Sequence, residues 1–305
     1  MTIAFPDAGP ITLTTNLQDY PQTRALKSGE VKSDLVRFDF TGPKSAFEGF
    51  KPMVREGKFD AGELAIITFL QAKVYGKPFV LLPAVMMGRF QHQCMLINAK
   101  LGDLKPKDIE GKRVGIRSYT QTTGAWVRGI LQHEYDVDLS RVTWVCHEDP
   151  HLAEYHEPPG MGIERLPPGS PKVDALLLDG KLDGAILGND LPNEPRVRPL
   201  IENPRVAAAE WCKKYDATPV NHLFVVNTAL SQRRPDVVRE IFRMLLESRK
   251  AAPPGKEGID FLPFGVEPMR KSLELIIQYA VEQKLIPRSF VVDELFDDTT
   301  RVLGV

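Results

Sequence analysis

The stretch RVGIRSYTQTTGAWVRGILQHEY, residues 113–135, shows the pattern of the whole chain in its clearest form. It begins with a short strand-like apolar run and ends with an amphipathic helical pattern, and the polar residues 118–124 lie between them. Short apolar runs alternate with helical patterns along the rest of the chain, which indicates an α/β architecture. In such folds, the loop between the carboxyl end of a strand and the next helix faces the ligand-binding crevice.

The same periodicity predicts the other elements. Strands are predicted at residues 11–14, 35–40, 65–67, 79–85, 94–97, 113–116, 142–145, 184–187 and 222–226. Helices are predicted at residues 47–56, 69–75, 123–134, 173–179, 235–250 and 267–283.

The composition is that of an ordinary globular protein. The chain has 305 residues, 43% of them hydrophobic, so it is long enough for two domains with sizeable cores. A formal net charge of -1 with mixed signs argues against nucleic-acid binding, and the apolar runs are too short to span a membrane.

The three cysteines follow no ligand spacing, and the N-terminus lacks the pattern of a signal peptide. A cytoplasmic location is therefore expected.

The order of the elements predicts two lobes. A strand near residues 94–97 and another near 222–226 enclose about one domain's worth of alternating elements. We therefore expect a discontinuous first lobe, residues 1–97 plus 222–305, and a second lobe, residues 98–221, with a ligand cleft between them. The irregular, proline-rich stretch 147–171 is too long for an ordinary connection, and loops of that length are usually functional lids or disordered.

The polar loop of the opening stretch has the composition of a carboxylate-binding site. Thr122 or Thr123 is expected to cap the helix, and the free backbone N–H groups of a helix start attract anions. The candidate substrate-binding residues are Arg117, Tyr119, Thr120, Gln121, Thr122 and Thr123. The alternative is an ordinary capped helix start without a ligand.

Four further residues have side chains suited to acid–base chemistry or anion binding. Glu63 lies inside the apolar context of KFDAGELAI, where a strand is about to begin or a helix to end, and Arg89 and His92 precede the predicted strand at 94–97. His222 begins the predicted returning strand. Histidines at the mouth of a cleft are suited to donating protons, and an arginine to binding an anion. The alternative is structural: Glu63 pairing with a lysine, and histidines held by ordinary hydrogen bonds.

The stretch CHEDPHLAEYHEPP, residues 146–159, is the densest cluster of metal-ligand side chains. A divalent metal at His147, His151 and Glu154 is one interpretation, although Pro150 disfavours the regular helix that would place both histidines on one face. A solvated loop or lid is the other interpretation.

Several common cofactor and catalytic motifs are missing from the chain. It has no GxGxxG after a strand, no Walker-type phosphate loop, no GxSxG and no HExxH. Nucleotide cofactors and serine-hydrolase chemistry are therefore not expected, and apart from the possible metal no cofactor is predicted.

Segments along nearly the whole chain resemble the 4,5-dihydroxyphthalate decarboxylase family. The strongest resemblance is GIRSYTQTTGAWVRGILQHEYDVD, which is similar to the family's strand, tyrosine-glutamine-x-threonine loop and tryptophan-x-arginine-glycine helix. The other segments are LTTNLQDYPQTRALKSGEV, KFDAGELAI, GRFQHQCMLIN, DLKPKDIEGKRVGI, LLLDGKLDGAI, TPVNHLFVV and QYAVEQKLIPRSFVVDELFD. One family cation is missing, because the chain has Gln91 where the family commonly has arginine.

The resemblance implies a two-lobed fold like that of type II periplasmic binding proteins. It also implies a carboxy-lyase of aromatic compound catabolism that decarboxylates a hydroxylated phthalate-type acid, such as 4,5-dihydroxyphthalate to protocatechuate, with or without a metal. Position by position, it nominates Glu63, Arg89, His92, residues 119–123 and His222 as cleft residues. The expected partner is a small aromatic carboxylate, and a homo-oligomer is left open.

The roles expected for these residues follow from the reaction. Thr122, Thr123 and Arg117 would hold a carboxylate, His92 or His222 would be the general acid, and Glu63 would take or orient a phenolic proton. The alternative is a non-catalytic solute-binding protein or sensor for a small carboxylate, because one fold serves many functions.

Overall fold

The computed structural model describes residues 5–188, 192–253 and 258–304. Within this part of the chain the strands are β1 (Ile11–Asn16), β2 (Val36–Asp39), β3 (Ala61–Ala65), β4 (Phe79–Gly88), β5 (Met95–Asn98), β6 (Arg113–Ile116), β7 (Thr143–Cys146), β8 (Ile163–Arg165), β9 (Gly184–Ile186), β10 (Val197–Pro199) and β11 (Val220–Asn227). The helices are α1 (Arg24–Lys27), α2 (Phe50–Glu56), α3 (Ile66–Val74), α4 (Thr122–Tyr135), α5 (Val173–Leu178), α6 (Pro204–Tyr215), α7 (Thr228–Arg233), α8 (Pro235–Lys250) and α9 (Val266–Glu282).

The chain divides into two compact units. Unit 1 comprises Met1–Arg89, Val220–Ile277 and Arg288–Val305, and unit 2 comprises Phe90–Pro219 and Gln278–Pro287. This division differs from the predicted lobes at the crossings and at residues 278–287. Residues 95–98 form β5, which pairs with β9 in unit 2. Residues 278–287 join unit 2 because Gln283 binds α4.

Unit 1 is built on a five-stranded sheet in the order β2-β1-β3-β11-β4. β1 is parallel to β2 and β3, whereas β11 is antiparallel to β3 and β4. The core forms where α8 packs on the sheet, because α8 buries Val237, Val238, Ile241 and Leu245 at helical spacing. Because of these strand directions, the carboxyl ends of β1, β3 and β4 lie at the same edge of the sheet as the start of β11.

Unit 2 is built on a six-stranded sheet in the order β10-β5-β9-β6-β7-β8. The central strand β6 is parallel to β7 and β9, so the carboxyl ends of these three strands share an edge. α5 closes one part of the core with Val173 and Leu177. The α4 helix contributes a fully buried Trp126, whose ring meets those of Trp211 and Tyr279 edge-on at 5.8 Å each.

The predicted strand at 65–67 is wrong, because Ile66 and Ile67 begin α3 and the strand lies earlier, as β3. Both isoleucines are completely buried, and α3 is apolar on almost every side, so its sequence shows no helical period.

Among the described residues, no helix is long and apolar enough to cross a membrane.

Candidate active site

A buried carboxylate lies at the shared strand edge of unit 1. Glu63 is in β3 and is 0% exposed. Its Oε1 accepts a hydrogen bond from the Gln18 backbone N–H at 2.7 Å, and its Oε2 accepts from the Tyr20 hydroxyl at 3.1 Å. The same Oε2 lies 2.8 Å from His222 Nδ1. Three donors thus surround a carboxylate that water does not reach, as a buried charge requires.

His222 is placed by the pairing of β11 with both of its neighbours. It lies opposite Ala65 of β3 and Met87 of β4, and the register between β11 and β4 shifts on both sides of it. Such irregularities re-aim side chains. The ring meets Phe50 edge-on at 5.1 Å, and the side chain keeps 13% exposure. Because Glu63 accepts at Nδ1, that nitrogen is the donor, and Nε2 is the nitrogen left for other chemistry.

Tyr20 completes this group. Burial raises the pKa of the Tyr20 hydroxyl far above its ordinary value of 10, and the nearby Glu63 carboxylate raises that pKa further. Tyr20 therefore stays a neutral donor to Glu63. Arg89, the other candidate of this unit, directly follows Gly88, which pairs with Val220 at the same edge.

The polar loop of unit 2 lies where the carboxyl ends of its parallel strands meet. Residues 117–121 connect β6 to α4, and Ser118, Thr120 and Thr122 are almost completely buried. The hydroxyls of Ser118 and Thr120 are 3.2 Å apart, within hydrogen-bond distance. The first N–H groups of the 14-residue α4 have no acceptor within the helix itself, so this loop is suited to an anion.

The expected cap of α4 is wrong. The N-cap residue is Gln121, which makes no side-chain capping bond, and Thr122 and Thr123 are the first two residues of the helix. Among the described residues, the buried Gln121 Oε1 has no hydrogen-bond partner. The Gln121 side chain therefore does not cap the helix.

Arg117 and the end of β7 border this loop. The Arg117 backbone carbonyl accepts hydrogen bonds from the N–H groups of His147 and Glu148, at 3.2 and 2.8 Å. Its side-chain Nε lies 3.9 Å from Glu148 Oε2, and burial lowers the Arg117 pKa although Glu148 opposes that shift. Burial also lowers the pKa of His147. A cation and a carboxylate thus adjoin the loop.

His92 lies in a different environment from His222. It is 2% exposed in unit 2, where its ring meets Trp211 at 6.2 Å. Burial lowers the pKa of His92 to about 4, although the Glu134 carboxylate raises it. His92 is consequently neutral near pH 7, whereas a general acid must hold a proton there.

The buried Arg128 side chain holds the loop in place through Tyr119. Its Nε donates to Gln283 Oε1 at 2.8 Å, and its Nη2 donates to the Tyr119 carbonyl at 2.7 Å. The guanidinium lies 3.9 Å from the centre of the Tyr119 ring, a cation–π distance. Tyr119 is 3% exposed and its ring packs against Trp144 and Arg128. Its contacts are thus those of a loop anchor.

The residues predicted to bind a metal are not gathered into a site. His151 is buried and Glu154 is exposed. Within the described part of the chain, no three histidine, cysteine, aspartate or glutamate side chains are grouped to hold a metal ion. The segment is instead held by Arg165 of β8, which pairs with Glu157 and donates to the Glu148 carbonyl at 2.9 Å. These residues do not fit a metal centre, so no chemical step is assigned to one.

Two characterised proteins are similar in sequence. A 4,5-dihydroxyphthalate decarboxylase from Comamonas testosteroni is 30% identical over 238 residues, which cover 74% of this chain and 71% of that protein. The chain belongs to the 4,5-dihydroxyphthalate decarboxylase family. A second member, from Pseudomonas putida, is 28% identical over 213 residues, covering 66% of this chain and 81% of the relative. No protein-family model matches the chain.

Solved structures show the same fold. The alkanesulfonate-binding protein SsuA from Xanthomonas axonopodis pv. citri, bound to MOPS, superposes with a TM-score of 0.61 at 12% identity, covering 95% of this chain and 99% of that one. The periplasmic aliphatic sulphonate binding protein SsuA from Escherichia coli superposes with a TM-score of 0.61 at 10% sequence identity, covering 97% of this chain and 95% of that one. The desulfurization enzyme DSZB superposes with a TM-score of 0.56 at 14% sequence identity, covering 95% of this chain and 97% of that one. The predicted two-lobed α/β fold is confirmed.

Membership of the 4,5-dihydroxyphthalate decarboxylase family also confirms that the chain is a carboxy-lyase. Of the predicted residues, the structure brings Glu63 and His222 into contact and places His92 in the other unit. Tyr20 and Arg128 were not predicted as site residues. Both lie inside segments that resemble the family, and that position was the available signal.

Proposed function

We propose that this protein decarboxylates 4,5-dihydroxyphthalate or a closely related hydroxylated phthalate, with His222 as the proton donor. The two relatives named for this reaction support the substrate class. The observation that carries the proposal is the 2.8 Å contact between His222 Nδ1 and the fully buried Glu63 carboxylate. A carboxylate that fixes one imidazole nitrogen leaves the other to exchange protons with a substrate.

The reaction needs one proton and releases one carbon dioxide. The bond between the ring carbon and its carboxylate breaks, and its electron pair stays with the ring. The ring carbon takes a proton from His222 Nε2, and a para hydroxyl supplies electron density to the ring during protonation. The product is a monocarboxylic catechol, protocatechuate when the substrate is 4,5-dihydroxyphthalate. General acid catalysis of this kind contributes about 10²–10⁴-fold to rates.

Glu63 has a different role in this proposal from the one that the sequence suggested. Its two oxygens already accept hydrogen bonds from Gln18, Tyr20 and His222, and it is completely buried. A carboxylate in that position cannot readily reach a phenol. Glu63 instead orients His222 and stabilises the imidazolium, and Tyr20 holds Glu63 in place.

Within unit 2, the loop between β6 and α4 is kept as a candidate carboxylate-binding site in its own right. Thr120, Thr122 and Thr123 provide hydroxyls, the start of α4 provides N–H groups, and Arg117 provides positive charge beside them. In unit 1, Arg89 is kept as a second anion-binding candidate because it follows β4 at the edge that carries His222.

The test is turnover of 4,5-dihydroxyphthalate by the purified protein, with and without a chelator. Loss of the substrate's ultraviolet band, matched by release of carbon dioxide and by protocatechuate in equal amounts, is the expected result. Equal rates in both arms are expected because the described histidine and acidic residues form no metal cluster. Saturable binding of the substrate without any turnover would instead support a solute-binding protein or sensor, and would contradict the proposal.

A further inference from the structure

A buried positive charge contacts the polar loop of unit 2. Arg128 is 0% exposed, and its guanidinium carbon lies 3.9 Å from the centre of the Tyr119 ring and 5.4 Å from that of Trp144. Among the described residues no carboxylate pairs with it, and its hydrogen-bond acceptors are the neutral Gln283 side chain and the Tyr119 carbonyl. Burial accordingly lowers the Arg128 pKa.

Such an arrangement is costly in a folded protein. A buried charge normally has an opposite charge beside it, because removing an ion from water is unfavourable and neutral hydrogen bonds offset that cost only in part. Two other arginines of this chain follow that rule. Arg234, which is 2% exposed, pairs with Asp236 at 2.8 Å, and the half-buried Arg270 pairs with Asp293 at 3.0 Å. Arg128 therefore lacks the compensation that these residues have.

The charge is directed at the first turn of α4. A Cβ on Gly124 would lie 2.9 Å from Arg128 Nη1, so glycine at this position lets the guanidinium reach the helix start. In the described part of the chain that buried Nη1 has no hydrogen-bond partner. The positive end of the helix dipole and the guanidinium thus act on the same place, the loop of residues 118–124.

We propose that Arg128 is a positioning residue for an anion, whose negative charge at the loop of residues 118–124 compensates the buried guanidinium. The anion is the carboxylate of an aromatic dicarboxylic acid, so this inference rests on the proposed function. Arg128 does not touch the acid. It fixes the loop through the Tyr119 carbonyl and raises the positive potential at the helix start, and Gln283 holds it in place.

The experiment measures binding of phthalate, an unhydroxylated dicarboxylate, by calorimetry at low and high salt. Arg128→Gln is expected to weaken binding at least tenfold, and Arg128→Lys, which keeps the charge, is expected to recover most of that loss. The effect should persist at high salt, because a buried charge is poorly screened. The control is Arg113→Gln, which removes the same charge from a half-exposed arginine paired with Glu164 in the same unit and should change affinity less than threefold.

A second variant tests the charge without removing Arg128. Gln283→Glu has nearly the same shape and places a carboxylate 2.8 Å from Arg128 Nε, and it also loses the N–H donor to the Ala125 carbonyl. Phthalate binding should weaken at least tenfold while the protein stays folded by circular dichroism. Unchanged affinity in a folded Gln283→Glu protein overturns the inference, and so does a loss in Arg128→Lys equal to that in Arg128→Gln. If Arg128→Gln does not fold, the Gln283→Glu result decides.

The wild-type protein separates this inference from the proposed function. Turnover of 4,5-dihydroxyphthalate together with unchanged phthalate affinity in the variants would overturn the role of Arg128 alone. Neither turnover nor phthalate binding by the wild-type protein would overturn both.

Discussion

At the scale of single residues, two histidines with similar sequence contexts differ in their environments. His222 has a carboxylate partner at Nδ1 and keeps partial exposure. His92 is buried against Trp211, and its Nδ1 has no hydrogen-bond partner among the described residues. The sequence nominated both, because each lies at or just before the start of a predicted strand. It could not separate them, because their environments depend on residues distant in the chain, such as Glu63, which is 159 positions from His222.

The buried His92 makes stability depend on pH. Its pKa is lowered from 6.5 to about 4 in the folded protein, so between these values the unfolded chain binds more protons than the folded one. The free energy of unfolding should therefore fall as the pH drops from 7 to 4, with His92 contributing about 3 kcal/mol at about 1.4 kcal/mol per pKa unit.

Urea unfolding of the wild type and of His92→Gln, measured at intervals between pH 4 and 7, isolates this contribution. The wild type should lose more stability than the variant on acidification, because glutamine does not titrate. A difference between the two proteins that stays constant with pH would show that His92 is not responsible.

At the scale of elements, the sequence predicted those whose periodicity is regular. β6 and α8 lie at their predicted bounds, because β6 is a short run between a lysine and an arginine and α8 has a clear amphipathic pattern after Pro235. α6 was not predicted, because its Ala-rich, charged sequence buries little more than Ala208, Trp211 and Cys212. The tertiary contact of Trp211 with Trp126 stabilises it instead.

The packing of α4 depends on a glycine within the helix. A Cβ on Gly129 would overlap the ring of Tyr279. A Cβ 2.1 Å from a Tyr279 ring atom puts the overpacking cost at the upper end of its range, about 3 kcal/mol, and the gain in helix propensity offsets about 1 kcal/mol of it, so Gly129→Ala should destabilise the protein by about 2 kcal/mol.

The matched control is Gly76→Ala. Gly76 has a φ of +67° and no atom within 4 Å of its potential Cβ, so alanine there should cost only the strain of the left-handed conformation, about 1–2 kcal/mol. Both free energies come from urea unfolding at pH 7. Gly129→Ala more stable than the wild type would contradict the close packing of α4 on Tyr279.

At the scale of the whole molecule, the sequence predicted a discontinuous first lobe because strands near residues 94–97 and 222–226 enclose one domain's worth of elements. The place of residues 278–287 in unit 2 could not be predicted in this way. α9 continues across Ile277 without a break in its pattern, so its local sequence gives no sign that Tyr279 and Gln283 pack on α4. The carboxylate–histidine contact likewise arises only when β3 and β11 pair.

In the proposed reaction His222, held by Glu63, protonates the ring carbon. The most direct measurement is kcat for 4,5-dihydroxyphthalate in His222→Gln and His92→Gln, both verified as folded by circular dichroism. Removing a general acid should lower kcat by about 10²–10⁴-fold in His222→Gln, whereas His92→Gln should stay within about tenfold of the wild type because a neutral, buried imidazole supplies no proton. A folded His222→Gln protein with wild-type kcat would contradict the role of His222 as the proton donor.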